Sequence, residues 1–73
     1  MIEHYKQLMK DIVKGFELQG YEVYLTSSWM ITMRRWTSIN IDGQTKTLTA
    51  QINIYYDDDE NPTQISVRYS YVN

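Results

Sequence analysis

The spacing of the apolar residues changes once along this 73-residue chain, at Gly20. Before Gly20, apolar side chains recur every three or four residues, which is the period of a helix with one apolar face. After Gly20, apolar and polar side chains alternate, which is the period of a strand with one buried face. One helical segment followed by alternating segments predicts an α+β fold, in which the helix packs on one face of an antiparallel sheet.

The helix is predicted over residues 2–19, with Gly20 in the left-handed conformation that ends many helices. Its apolar face consists of Ile2, Tyr5, Leu8, Met9, Ile12, Val13 and Phe16. Lys6, Lys10 and Lys14 lie on the opposite side, which we interpret as a solvated face. Because Gly15 lowers the helix propensity by about 1 kcal/mol relative to alanine, the helix must depend on packing against a sheet.

Four strands are predicted, over residues 21–26, 29–41, 44–56 and 64–72. Asp42 and Gly43 form one of the strongest short hairpin signals, and a two-residue turn there pairs Ile41 with Gln44. A shift of one residue would move every core side chain to the solvent face, so the alternation tests the pairing.

Closing the other two hairpins in the same way gives one apolar inner face. Its predicted rows are Leu25–Trp29–Tyr56–Ile65, Val23–Ile31–Ile54–Val67 and Tyr21–Met33–Ile52–Tyr69. The prediction is a single domain over residues 1–73 with the order α-β-β-β-β. The four-stranded antiparallel meander has the strand order 1-2-3-4, and the helix covers its inner face to form a two-layer sandwich.

The composition excludes most catalytic and metal chemistry. The chain has no cysteine and a single histidine, His4, so it lacks the three or four nitrogen and sulfur ligands of a zinc site. A lone histidine also lacks the partner that a general base needs. The three glycines are too far apart for a phosphate-binding loop. We therefore expect no enzymatic activity, no metal and no cofactor.

The charge and the apolar runs indicate the compartment. The net charge is −2, which gives no overall basic field for nucleic acid or an anionic membrane. The longest apolar run is only a few residues, far below the roughly 20 residues of a membrane span. The charged opening segment does not resemble a signal peptide, and the absence of cysteine fits a reducing cytoplasm. We expect a cytoplasmic protein without a membrane partner.

The second sheet face, which the single helix cannot cover, provides the candidate binding site. Its predicted anchors are Tyr24, Met30, Arg34, Trp36, Tyr55 and Arg68. Tyrosine, tryptophan, methionine and arginine are enriched in protein interfaces, so we predict a protein partner. Three alternatives stay open. The first is that the aromatic residues are ordinary strand composition. The second is that the same face, or the last strand, forms a homo-oligomer. The third is that the aromatic and arginine side chains bind single-stranded nucleic acid.

A run of four acidic residues follows the third strand: Asp57, Asp58, Asp59 and Glu60. It lacks the glycine and the distal glutamate of an EF-hand loop. We interpret it as a solvated turn that protects the sheet from edge pairing. Weak binding of a divalent ion, or contact with a basic partner surface, are the alternatives.

In size and acidic charge alone, the chain resembles the accessory proteins of phages and mobile elements. That class includes inhibitors of host defence nucleases such as anti-CRISPR proteins. The resemblance implies a small protein that acts by binding a protein of the host.

Overall fold

The computed structural model describes residues 6–72. Its elements, in chain order, are helix α1 (Gln7–Glu17) and strands β1 (Glu22–Thr26), β2 (Met30–Ile41), β3 (Gln44–Tyr56) and β4 (Pro62–Val72). The strands form one antiparallel sheet in the order β1-β2-β3-β4. The predicted α+β meander is therefore confirmed.

Helix α1 begins later and has a narrower apolar face than predicted. Lys6 is extended, with φ −61° and ψ 158°, so the helix begins at Gln7. Met9 and Val13 are buried, whereas Leu8 is half-exposed. Ile12 and Phe16 pack partly against the core. The predicted helical positions Ile2 and Tyr5, and the single histidine His4, lie outside the described residues.

The C-terminus of α1 is closed by a Schellman motif centred on Gly20. The Tyr21 N–H donates to the Phe16 carbonyl oxygen at 3.1 Å, and the Gly20 N–H donates to the Glu17 carbonyl oxygen at 3.0 Å. Gly20 has φ +94°, the left-handed conformation that this motif requires. The Phe16 and Tyr21 rings meet edge to face, with centroids 5.7 Å apart. This contact joins the end of the helix to the start of the sheet.

The two glycines of this region are expected to respond to alanine with opposite signs. A Cβ atom on Gly20 would lie 3.2 Å from Cδ of Arg35, and its left-handed conformation disfavours any side chain. Gly20→Ala is therefore expected to lower the free energy of unfolding by about 1–2 kcal/mol. Gly15 is helical with open space around it, so Gly15→Ala is expected to raise that free energy by about 0.5–1 kcal/mol. Urea unfolding of both variants measures the difference, and equal signs would contradict it.

The central hairpin has the predicted register. Asp42 and Gly43 have φ of 53° and 79°, as a type I′ turn requires. Ile41 lies opposite Gln44, and Ile31 lies opposite Ile54. The predicted pairing of β2 with β3 is confirmed from Met30 opposite Tyr55 to Ile41 opposite Gln44.

The pairing of β1 with β2 differs from the prediction by two residues. Val23 lies opposite Met33 rather than Ile31, and a β-bulge interrupts the register between Val23 and Leu25. An extra residue in a strand reverses the faces of the residues after it. Leu25, predicted in the core, consequently lies opposite Thr32 and is exposed.

The pairing of β3 with β4 is also shifted by two residues. Ile54 lies opposite Ile65 rather than Val67, and Tyr56 lies opposite Pro62. A second irregularity, between Tyr55 and Tyr56, accommodates the earlier start of β4. The faces of β4 are unchanged, because a shift of two residues preserves the alternation.

The core lies between α1 and the middle of the sheet. It consists of Met9, Val13, Tyr21, Ile31, Met33, Ala50, Ile52, Ile54 and Tyr56. Ile65, Val67 and Tyr69 of β4, predicted to belong to it, are exposed. A helix is about 10 Å wide and strands are about 4.8 Å apart, so one helix covers two or three strands and leaves the edge strand open.

Candidate functional site

The face of the sheet opposite α1, called here the outer face, carries all the predicted anchors. By the alternation of the strands, Met30, Arg34 and Trp36 share this face with Tyr55 and Arg68. No element within residues 6–72 covers it.

Tyr24 reaches the outer face at the β-bulge of β1. The Arg34 guanidinium carbon lies 3.7 Å above the centre of the Tyr24 ring. This cation–π contact and the 3.0 Å hydrogen bond from Nε of Arg34 to Oε1 of Gln51 fix the position of the Arg34 side chain.

Trp29 is an outer-face residue that the sequence prediction assigned to the core. Its ring stacks on Tyr55 with centroids 5.8 Å apart and an interplanar angle of 17°. Trp29 lies in the turn before β2, where the Ser27 N–H donates to the Met30 carbonyl oxygen at 2.8 Å. Strand alternation does not determine the direction of a side chain in a turn. In the sequence, Ser27 and Ser28 were the only indication that a turn lies here.

A buried polar network occupies the centre of the outer face. The Thr32 hydroxyl donates to Oδ1 of Asn53 at 2.9 Å, and Nε2 of Gln51 donates to the same oxygen at 3.3 Å. Nε of Arg34 donates to Oε1 of Gln51 at 3.0 Å. Thr32 and Asn53 are only 3% and 8% exposed. The centre of this face is therefore occupied by internal hydrogen bonds, and the groups open to a partner lie around it.

The outer face contains a pocket of about 390 Å³. Its lining residues are Arg34, Trp36, Thr49, Gln51, Arg68, Tyr69 and Ser70. Arg34, Gln51 and Arg68 lie in one row across three strands, so the Cα atoms of the two arginines are about 10 Å apart. Trp36 is half-exposed beside them.

The charge of this face is opposite to that of the whole chain. Among the strand residues of the outer face, the charged ones are Glu22, Arg34 and Arg68, whereas the chain has a net charge of −2. Guanidinium groups bind carboxylates through paired, charge-assisted hydrogen bonds. The pocket is therefore suited to an acidic side chain presented beside an apolar one.

Two of the four carboxylates in the acidic loop after β3 accept backbone N–H groups. Oδ1 of Asp57 accepts the N–H groups of Asp59 and Asn61 at 3.0 and 2.9 Å. Oε1 of Glu60 accepts the N–H of Lys6, the residue before α1, at 2.7 Å. These bonds support the interpretation as a turn. In the part of the chain that the structure describes, no cluster of three or more histidine, cysteine or acidic residues is placed to hold a metal ion.

Comparison of the chain with protein-family models, with curated proteins and with solved structures gives no match. The function is therefore inferred from the geometry of the outer face. Within residues 6–72, no helix has the length and apolar character needed to cross a membrane.

Proposed function

We propose that this protein is a non-enzymatic binding module that recognises another protein through its outer face. The observation that supports it is the uncovered pocket of about 390 Å³ in which Trp36 lies beside Arg34 and Arg68. The few residues that supply most of the binding energy in protein interfaces are enriched in tryptophan, tyrosine and arginine. A face with these residues and no covering element offers area that a partner can bury.

The partner presents a carboxylate to the arginines and an apolar side chain to Trp36. Arg34 is held by Gln51 and by the Tyr24 ring, so its guanidinium is already oriented before binding. Preorganised groups lose less conformational entropy in a complex. Arg68 is exposed at the other side of the row and supplies the second cationic group.

Single-stranded nucleic acid is less well accommodated by the same face. Bases stack on free aromatic faces, but one face of the Tyr24 ring is covered by Arg34, and Tyr55 is stacked on Trp29. The net charge of −2 also opposes a polyanion. These contacts favour a protein partner.

We place this binding in the cytoplasm, because a cysteine-free chain needs no oxidising compartment. Inhibition of a host enzyme, as in the phage and mobile-element accessory proteins that the chain resembles in size and charge, is one form that such binding takes.

The test compares Trp36→Ala and Arg68→Gln with the wild type. Each protein is immobilised and exposed to lysate of the source cells, and bound protein and nucleic acid are analysed together. The captured partner is then purified and titrated by calorimetry. Each variant is expected to raise Kd by about 10- to 100-fold, because each removes one group of the pocket. Arg68→Gln is also expected to reduce the salt dependence of binding.

Thr37→Ala is the matched control, since Thr37 is the exposed neighbour of Trp36 on the other face of β2. It is expected to bind like the wild type, and circular dichroism should show that all three variants are folded. A partner bound equally by Trp36→Ala, or lost with Thr37→Ala, would overturn the proposal. Recovery of nucleic acid alone would assign the face to single strands instead.

A further inference from the structure

Strand β4 ends the sheet with an open row of backbone hydrogen-bonding groups. The Tyr56 N–H donates to the Trp29 carbonyl oxygen at 3.1 Å, so even-numbered residues of β3 direct their backbone groups toward β2. Odd-numbered residues of β3 consequently bond β4, and Asn53 lies opposite Ser66. The backbone groups of Ser66 and Arg68 therefore point toward β3. Those of the odd-numbered residues of β4 point away from the sheet.

Between Ile65 and Tyr71, the residues whose backbone groups point away from the sheet are also the apolar ones. They are Ile65, Val67, Tyr69 and Tyr71, and each is about half-exposed or more. Their side chains lie on the α1 side of the sheet, next to a groove of about 280 Å³ between α1 and β4. The groove is lined by Asp11, Ile12, Gly15, Phe16, Gln19 and Ile65. Natural edge strands are commonly protected by lysine, proline or a bulge, but from Gln64 to Tyr71 the sequence of β4 has only Arg68 as a charge.

We propose that β4 pairs antiparallel with β4 of a second copy of this chain, about a two-fold axis at Val67. This register places Val67 opposite its own copy, and Tyr69 opposite the partner's Ile65. Because Ile65 lines the groove, each Tyr69 ring then lies at the mouth of the groove of the other protomer. The pairing exchanges backbone hydrogen bonds between the outward-pointing residues of both strands.

The charge on β4 disfavours the neighbouring register. A two-fold axis at Arg68 would place two guanidinium groups directly opposite each other, which destabilises a strand pair. The axis at Val67 places Arg68 opposite Ser66 instead. It also forms an aromatic–β-branched pair between Tyr69 and Ile65, one of the favourable cross-strand combinations.

The second copy fits because one strand supplies both halves of the contact. Strand β4 carries Tyr69, which contacts the groove of the other copy, and together with α1 it also forms the groove that receives the other copy's Tyr69. At 66% and 60% exposure, Tyr69 and Tyr71 together expose roughly 200–300 Å² per copy. Ile65 and Val67, each about half-exposed, add to this area, which remains below that of a standard protein interface, so we expect a weak, concentration-dependent dimer. The pairing shares Tyr69 with the rim of the outer-face pocket and otherwise uses a different surface, and it stands independently of the proposed function.

Single cysteines test the register directly, because the chain has none of its own. Residues that exchange backbone hydrogen bonds across an antiparallel pair have Cα atoms about 5.5 Å apart, which is within the Cα–Cα range of a disulfide. Oxidised Val67→Cys is therefore expected to form a covalent dimer. Tyr71→Cys is the matched control: it lies on the same strand and face, but about 26 Å from its symmetry mate. A mixture of Ile65→Cys and Tyr69→Cys should form a mixed disulfide, whereas neither should dimerise efficiently alone.

Sedimentation of the unmodified chain over increasing concentration tests the dimer itself. The wild type should reach twice the monomer mass. Val67→Pro should remain a folded monomer, because proline removes an N–H that points away from β3. Tyr69→Ala should weaken dimerisation at least 10-fold more than Tyr71→Ala.

The proposal would be overturned by a wild type that stays monomeric at high concentration, by cross-linking of Tyr71→Cys as efficient as that of Val67→Cys, or by open-ended oligomers. Trp36→Ala should leave the dimer intact, so dissociation of that variant would assign self-association to the outer face. Loss of partner binding without loss of the dimer would affect only the proposed function.

Discussion

Replacing Ile54 with alanine is expected to lower the free energy of unfolding by about 2–5 kcal/mol. Ile54 is fully buried in the centre of β3, between Ile31 on one side and Ile65 on the other. The substitution removes three carbon atoms and leaves a cavity under α1 that the surrounding strands cannot close. Urea unfolding, followed by tryptophan fluorescence and by circular dichroism, measures the loss.

Ile65→Ala is the matched control for this prediction. It changes the same residue type on the same face, in the Cα partner of Ile54 on the next strand, but Ile65 is 46% exposed. Its truncation is expected to lower the free energy of unfolding by about 1 kcal/mol, because much of the side chain is already in water. The protein is kept dilute so that self-association does not contribute. Equal losses for the two variants would show that the core extends to β4, contrary to the structure.

The alternation of apolar and polar residues predicted the sheet face of each side chain better than it predicted which residues pair across neighbouring strands. The faces of β2, β3 and β4 were correct because a buried face requires period two, and the Asp42–Gly43 turn fixed the central register. Sliding a strand by two residues leaves every face unchanged, so the alternation could not detect the shifts at β1 and β4. A β-bulge has no compositional signal, and for that reason Leu25 was assigned to the wrong face.

The shift of β4 also created the candidate pocket. The predicted pairing of Ile54 with Val67 places Arg68 in a row with Asn53, one row away from Arg34. The structure places Arg68 opposite Gln51, and hence in the same row as Arg34. The six anchors were thus predicted on one face, but the approach of the two arginines depends on a register that the sequence pattern leaves open.

The buried network of the outer face gives the second large expected effect. Asn53→Ala is expected to lower the free energy of unfolding by about 1–3 kcal/mol, because it leaves the Thr32 hydroxyl without its acceptor in a nearly closed site. Oδ1 of Asn53 accepts from both Thr32 and Gln51, so its loss affects two strands at once. Thermal and urea unfolding measure the change. Ser66→Ala is the milder control, because its hydroxyl accepts only a long 3.5 Å bond from Nδ2 of Asn53.

A double-mutant cycle with Thr32→Val separates the hydrogen bond from the packing. If the bond between Thr32 and Asn53 is the cause, the double variant should lose less stability than the sum of the single variants, with a coupling energy above about 0.5 kcal/mol. Additive losses would show that the network contributes only packing. The network also reaches the pocket, since Gln51 bonds both Asn53 and Arg34. Asn53→Ala should therefore weaken partner binding by releasing Arg34, although Asn53 is too buried to contact a partner.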